Sequence, residues 1–211
     1  MSFSAQLRAK TEGIWSAAVG HRFVEELWLG TVPEPVISTY LAQDALFCDA
    51  FVALMGGAVS NADDPKARMA IGRQLGFVAS DEDGYFTRAL ARLRPNAAPP
   101  APLAPTRGFI DLMNEARRGD YASALVVLLV AEWLYLDWAT PETPRPTPSD
   151  WVFAEWIDLH RGDAFEAWVD LLRSETDRVA STADAATLAR MEDMFTRAVN
   201  LELAFFNAAY E

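Results

Sequence analysis

The sequence predicts an all-α protein, a multi-helix bundle folded as a single domain. Three observations carry that expectation. Strand signals are scarce, while Ala, Leu, Glu and Arg dominate and apolar residues recur at spacings of three and four. The chain has 211 residues, 51% apolar and 23% charged, which is globular composition with enough length for a sizeable core. No internal repeat and no domain linker divides it.

Helices are expected at about 3–18, 22–29, 34–60, 64–93, 107–118, 121–140, 149–160, 163–180 and 183–210. Pro33 and Pro35 mark the start of the third, where proline is tolerated. "SNADDP" closes that helix and opens the next. "RPNAAPPAPLAP" (94–105) and "TPETPRPTPSD" (140–150) read as extended surface connections. "STAD" at 181–184 resembles a helix N-terminus, with Ser181 or Thr182 as cap.

Bulk properties exclude several roles. The formal charge of −12, with no Lys/Arg run to offset it, argues against nucleic acid or an anionic membrane surface as partner. Cys48 is the one cysteine, so neither a disulfide framework nor a Cys-based zinc site is expected. "MSFSAQLRAKTEG" lacks the apolar core of a signal peptide, and no stretch approaches about 20 uninterrupted apolar residues, so a cytoplasmic protein is expected. Seven Trp and twelve Phe should give aromatic burial a large share of the stability.

Helical spacing then shows which charges point inward. Tyr40, Asp44, Phe47, Phe51 and Leu54 step by 4, 3, 4 and 3, which sets Asp44 inside an aromatic stripe. Leu125, Leu128, Glu132 and Tyr135 do the same for Glu132. Met191, Phe195, Ala198, Glu202, Phe205 and Ala209 do so for Glu202. One acid on a stripe usually sits at its edge or pairs with Arg. Three acids on three helices point instead to a shared internal site. Asp137 is expected to face solvent, and Asp49 and Glu155 to be surface charges.

Such carboxyls could hold a metal or do acid–base work. A di-iron bundle needs Glu-x-x-His pairs, yet the only histidines are His21 and His160, and neither stands three residues after a Glu. Haem through His21 lacks any second signal, and His21 reads as a structural or capping residue. No metal and no cofactor is therefore expected. Burial raises a carboxyl pKa and a neighbouring carboxyl raises it further, which suits proton transfer to a small polar ligand between aromatic walls.

Residues 21–54, "HRFVEELWLGTVPEPVISTYLAQDALFCDAFVAL", resemble the signature of the TenA/thiaminase II family, with Gln43-Asp44 its most specific part. "FAEWIDLH" (153–160) and "LELAFFNAAYE" (201–211) resemble its Trp-Ile segment and its C-terminal Glu-Phe segment. The resemblance implies a haem oxygenase-like bundle, a homotetramer or dimer, and hydrolysis of aminopyrimidines in thiamin salvage. It implies that Asp44 binds the pyrimidine edge, that Glu202 is the acid/base, and that Phe47, Phe205 and Tyr135 wall the ring. His160 stands where relatives carry a site-lining Tyr, and Phe109 lies in a helix that supplies a stacking Tyr.

The sequence departs from the family at one important place. Ala131 stands where many members have a nucleophilic Cys, and Cys48 lies on another helix. The resemblance therefore implies the Cys-lacking branch, with Glu132 as a second catalytic carboxylate acting on an amino- or formylamino-methyl pyrimidine. A non-catalytic binding protein and a metal-dependent oxidase are the alternatives on the same fold. Trp133, Trp138, Trp151 and Trp168 read as core or interface residues.

Overall fold

The computed structural model describes Met1–Glu211 and contains helices and connections without any strand. The order is α1 (Phe3–Lys10), α2 (Glu12–Val19), α3 (Arg22–Leu29), α4 (Glu34–Asn61), α5 (Pro65–Phe77), a π-helical turn (Val78–Glu82) and α6 (Asp83–Leu93). Then come α7 (Ala104–Arg118), α8 (Tyr121–Ala139), α9 (Trp151–Leu159), α10 (Asp163–Ala180) and α11 (Ala185–Ala208).

Local chemistry explains the boundaries. Asp64, Asp120, Asp150 and Asp184 each accept a backbone N–H in the first turn of α5, α8, α9 and α11. Each places a negative charge at the positive end of a helix dipole. His21 caps α3, its Nδ1 accepting from Phe23 N–H at 3.0 Å, as the sequence suggested. Gly30, at φ 68°, ends α3 in the left-handed conformation that glycine adopts without cost.

Four boundaries differ from the sequence reading. The first helix breaks at Thr11, whose hydroxyl turns back onto the carbonyls of Leu7 and Arg8. The stretch 64–93 is interrupted by the π turn. The cap of α11 is Asp184, not Ser181 or Thr182, because the carboxylate reaches Thr187 N–H at 2.8 Å. The first proline connection ends early, with Pro105 inside the first turn of α7.

α8 is the central element. It packs against α2, α4, α7, α10 and α11, and nearly all its residues are buried. By length and composition α4 and α8 are apolar enough to cross a membrane, but most of α8 is covered by the protein itself. Fifty-five buried residues form one continuous hydrophobic cluster, in which Trp15, Trp138 and Trp156 are fully enclosed. Trp133 packs at its edge and Trp168 within it, whereas Trp151 is partly exposed. The other large exposed apolar residues, Met1, Leu29, Met69 and Leu103, form no aromatic face.

The first proline segment is pinned by one buried amide. Gln43 on α4 donates to Ala101 O at 3.1 Å and accepts from Leu103 N–H at 2.8 Å and Thr106 Oγ1 at 2.7 Å. Gln43→Ala strands three polar groups and should cost about 2–3 kcal/mol. Urea denaturation reads the loss. Hydrogen exchange at residues 101–106 should rise, while exchange in α8 stays slow.

Candidate active site

Four carboxyls on four elements converge beside the middle of α8. Asp44 comes from α4, Glu82 from the π turn, Glu132 from α8 and Glu202 from α11. Asp44, Glu132 and Glu202 are buried, at 4%, 6% and 2% exposure. Asp44, Glu82, Glu132, Phe47, Phe51, Ala131, Tyr135, Trp156 and His160 line a cavity of about 30 Å³. That is small beside the roughly 300 Å³ of an ordinary ligand pocket.

No Lys or Arg lines this space. The carboxyls are shifted by burial and by one another. Burial raises Asp44 well above the ordinary range, and the Glu82 charge adds to it. Burial takes Glu82 to about 7, although the Cys48 thiol donates to it. Glu132 is taken to about 8 by burial, eased by the Trp168 indole N–H, which approaches without completing a hydrogen bond. Burial and then Asp44 raise Glu202 well above the usual range. One oxygen each of Asp44, Glu132 and Glu202 lacks a hydrogen-bond partner. Buried orphan acceptors are costly, and two of these three carboxyls, Asp44 and Glu132, line the same cavity.

The aromatic walls are tightly built. Tyr40 and Tyr135 share a hydroxyl–hydroxyl hydrogen bond of 2.7 Å. His160, at the C-cap of α9, has Nδ1 2.7 Å from Trp156 O. A carbonyl only accepts, so Nδ1 carries the proton. Burial lowers the His160 pKa to about 4, so the ring is neutral and Nε2 is an acceptor. The His160 ring lies 4.8 Å from Tyr135 and 4.4 Å from Trp156.

The structure brings most of the sequence-predicted residues together. Asp44, Phe47, Glu132, Tyr135 and His160 line the cavity. Glu202 sits behind Asp44, where its charge also reaches Tyr40 and Tyr135. Phe205 and Phe109 stand one layer out. They meet Phe47 at 6.4 and 5.1 Å, and Phe205 closes a separate crevice with Tyr40 and Gln43. Glu132 and Ala131 line the same cavity although they are adjacent in sequence.

Two sequence readings need adjustment. Asp137 does not face solvent freely: it is half-buried, accepts from Trp15 Nε1 at 2.8 Å and lies 3.8 Å from Arg8 Nε. Glu82 was missed. A signal existed, since Ile71, Leu75, Val78, Glu82, Tyr85 and Ala89 step by 4, 3, 4, 3 and 4. Asp49 is exposed, as expected, and Glu155 is partly exposed and pairs with Arg88. No three His, Cys, Asp or Glu side chains come together as a metal-holding group.

Comparison with known proteins places nearly the whole chain in one family. The sequence profile of the TENA/THI-4/PQQC family matches residues 8–211. An aminopyrimidine aminohydrolase of Halalkalibacterium halodurans is 26% identical, the match covering 100% of this chain and 96% of the relative. An aminopyrimidine aminohydrolase of Bacillus subtilis is 23% identical over 100% of this chain and 90% of the relative. A TenA homologue from Pyrococcus horikoshii superposes with a TM-score of 0.83 at 20% identity, covering 100% and 99% of the two chains. The TenA homologue from Pyrococcus furiosus gives 0.85 at 16% identity, covering 99% and 100%. These structures share the all-α, haem oxygenase-like fold.

The raised Glu132 pKa has a consequence for stability. The folded protein holds this proton up to about pH 8, whereas the unfolded chain releases it near 4.5. The contribution is therefore complete below about pH 4.5 and is lost as pH rises through about 8. Glu132→Gln keeps the shape without the charge. Its stability relative to the unsubstituted protein should improve by roughly 2–4 kcal/mol between pH 5 and pH 8. Denaturant curves at the two pH values check this.

Proposed function

The chain belongs to the TENA/THI-4/PQQC family, and we propose that within it the protein is an aminopyrimidine aminohydrolase of thiamin salvage, working without a cysteine nucleophile. The observation that carries this reading is the set of buried carboxyls without a counter-cation, walled by aromatic rings. Such a site fits a flat ligand that brings several N–H donors.

Asp44 suits the ring edge. Its raised pKa keeps it protonated, with one O–H donor and one carbonyl acceptor. A 4-aminopyrimidine offers the complement, a ring-nitrogen acceptor beside an exocyclic N–H donor. Phe47 and Tyr135 wall the ring, with Phe205 backing Phe47, and His160 presents a neutral acceptor. Glu202, protonated near neutral pH, can give its proton to a leaving amine. Glu132 supplies a second carboxyl beside Ala131, which has no nucleophilic atom. Hydrolysis then proceeds by water attack on the side-chain carbon rather than through a thioether. A cytoplasmic homotetramer or homodimer is the assembly this reading carries, and sedimentation tests it.

The protein should convert 4-amino-5-aminomethyl-2-methylpyrimidine or its N-formyl derivative to the hydroxymethylpyrimidine and leave thiamin intact. Glu202→Gln should lower kcat by about 10²–10⁴-fold with little change in KM. Chromatography of the products decides both. Full turnover by Glu202→Gln would remove it from the mechanism, and thiamin cleavage would overturn the cysteine-free assignment. Asp44→Ala removes both the donor and the acceptor, whereas Asp44→Asn keeps such a pair; the alanine variant should weaken pyrimidine binding at least tenfold and the asparagine variant much less, read by calorimetry.

A further inference from the structure

The π turn between α5 and α6 presents Glu82 to the same cavity as Ala131 and Glu132. We propose that Glu82 is the base that takes a proton from the attacking water, and that Cys48 positions it. The proposal rests on the aminohydrolase reading and deepens it.

Placement is the first argument. Glu82 is the one carboxyl of the four that remains partly exposed, while the other three are sealed. It lines the inner cavity, and its hydrogen-bond partner Cys48 lines an outer groove of about 280 Å³ with Ala45, Val52, Val78 and Phe86. A base that must return its proton to solvent after each turnover needs such a place between inside and outside. π turns are rare and recur at functional sites, because the extra residue re-aims a side chain.

The partner is the second argument. Cys48 Sγ donates to Glu82 Oε1 at 3.4 Å. The thiol is held protonated by burial and by the charges of Glu82 and Asp44, so it serves as a donor and not as a nucleophile. Cys48 is thus a positioning residue. The groups facing Glu82 are Asp44 and Cys48 from α4, Glu132 from α8 and neutral His160 at the end of α9. Asp81 and Asp83, beside it in the chain, are exposed. Among the carboxyls, Glu82 has its pKa nearest neutrality, at about 7, so a large fraction is ionised at working pH.

The step balances without a co-reactant. Water forms the new C–O bond at the side-chain carbon, and one of its protons passes to Glu82. The C–N bond breaks with its electron pair on nitrogen, and Glu202 protonates the departing amine. Glu82 then loses its proton to solvent and Glu202 regains one.

The test is ammonia release from 4-amino-5-aminomethyl-2-methylpyrimidine between pH 5 and 9, by the unsubstituted protein, Glu82→Gln, Cys48→Ala and Cys48→Ser. Unsubstituted protein should show an acid limb near pH 7. Glu82→Gln should lose at least 100-fold in kcat, keep KM within threefold and keep its melting temperature. Cys48→Ala should shift the acid limb to higher pH, because the donor that favours the Glu82 carboxylate is gone, and Cys48→Ser should restore it. A purely structural cysteine would leave the limb in place. Turnover by Glu82→Gln within threefold of the unsubstituted protein, or an unmoved limb in Cys48→Ala, overturns the proposal while the aminohydrolase reading stands. No ammonia from the unsubstituted protein overturns both.

Discussion

The site depends on enclosing several carboxyls with no Lys or Arg among the residues that line it. A charged carboxylate in such a place costs several kcal/mol, so the groups keep their protons instead. The chain has 18 Lys and Arg against 30 Asp and Glu. Its arginines are spent on the exterior, where Arg88 meets Glu155, Arg92 meets Asp150, Arg145 meets Glu25 and Arg197 meets Glu115. Exposed pairs of this kind stabilise little. What they leave behind is an interior of acid groups and one neutral imidazole, with no Lys or Arg among the lining residues. The cost is carried by the surrounding apolar cluster and by α8, whose packing on five sides fixes Glu132 and Tyr135.

Four supporting elements follow from that constraint. Because Asp44, Glu82, Glu132 and Glu202 each come from a different element, no single rigid body sets their spacing. The aromatic layer does so instead. Tyr40 lies tilted against Phe23 and stacked with Phe206, is bonded to Tyr135 and is set edge-on to Trp156. Trp156 in turn stacks on Tyr85, whose hydroxyl donates to Val152 O at 2.8 Å, tying α6 to α9. The link from α4 through α9 to α6 therefore runs through aromatic contacts inside, with the Arg88–Glu155 and Arg92–Asp150 pairs on its outer side. Contacts of this type keep their strength in high salt, unlike the exterior pairs.

Much of this was legible in the sequence because an α-helix has a fixed phase. Tyr40, Asp44, Phe47 and Phe51 share a face whatever else the chain does, and so do Leu128, Glu132 and Tyr135. Residue 131 and residue 132 both reach the cavity, which phase alone leaves open at about 100° per residue. Glu82 lay on an equally good stripe in 64–93 but was not singled out, because that stretch carries charges on all sides. The π turn itself has no residue signature in "VASDE". Capping was legible only in type: Ser181, Thr182 and Asp184 are all good caps, and which one is used depends on where the chain leaves α10. Asp137 was misjudged because its partner, Trp15, lies 122 residues away in sequence.

The proposed cysteine-free chemistry fits the electrostatics of a cavity that Ala131 shares with Glu82 and Glu132. A thiolate nucleophile needs a lowered pKa, which nearby cations or a helix N-terminus supply. The structure shows what this interior does to a thiol. Cys48, beside Glu82 and Asp44, is pushed well above its ordinary range by burial and by those charges. A cysteine at 131 would share a cavity with Asp44, Glu82 and Glu132 and would meet the same field. An interior that keeps carboxyls protonated near neutral pH is suited to general acids and bases, and the same property makes it a poor place for a thiolate. The cysteine-free hydrolysis proposed above is consistent with such an interior, whose carboxyls can hold and release protons near neutral pH.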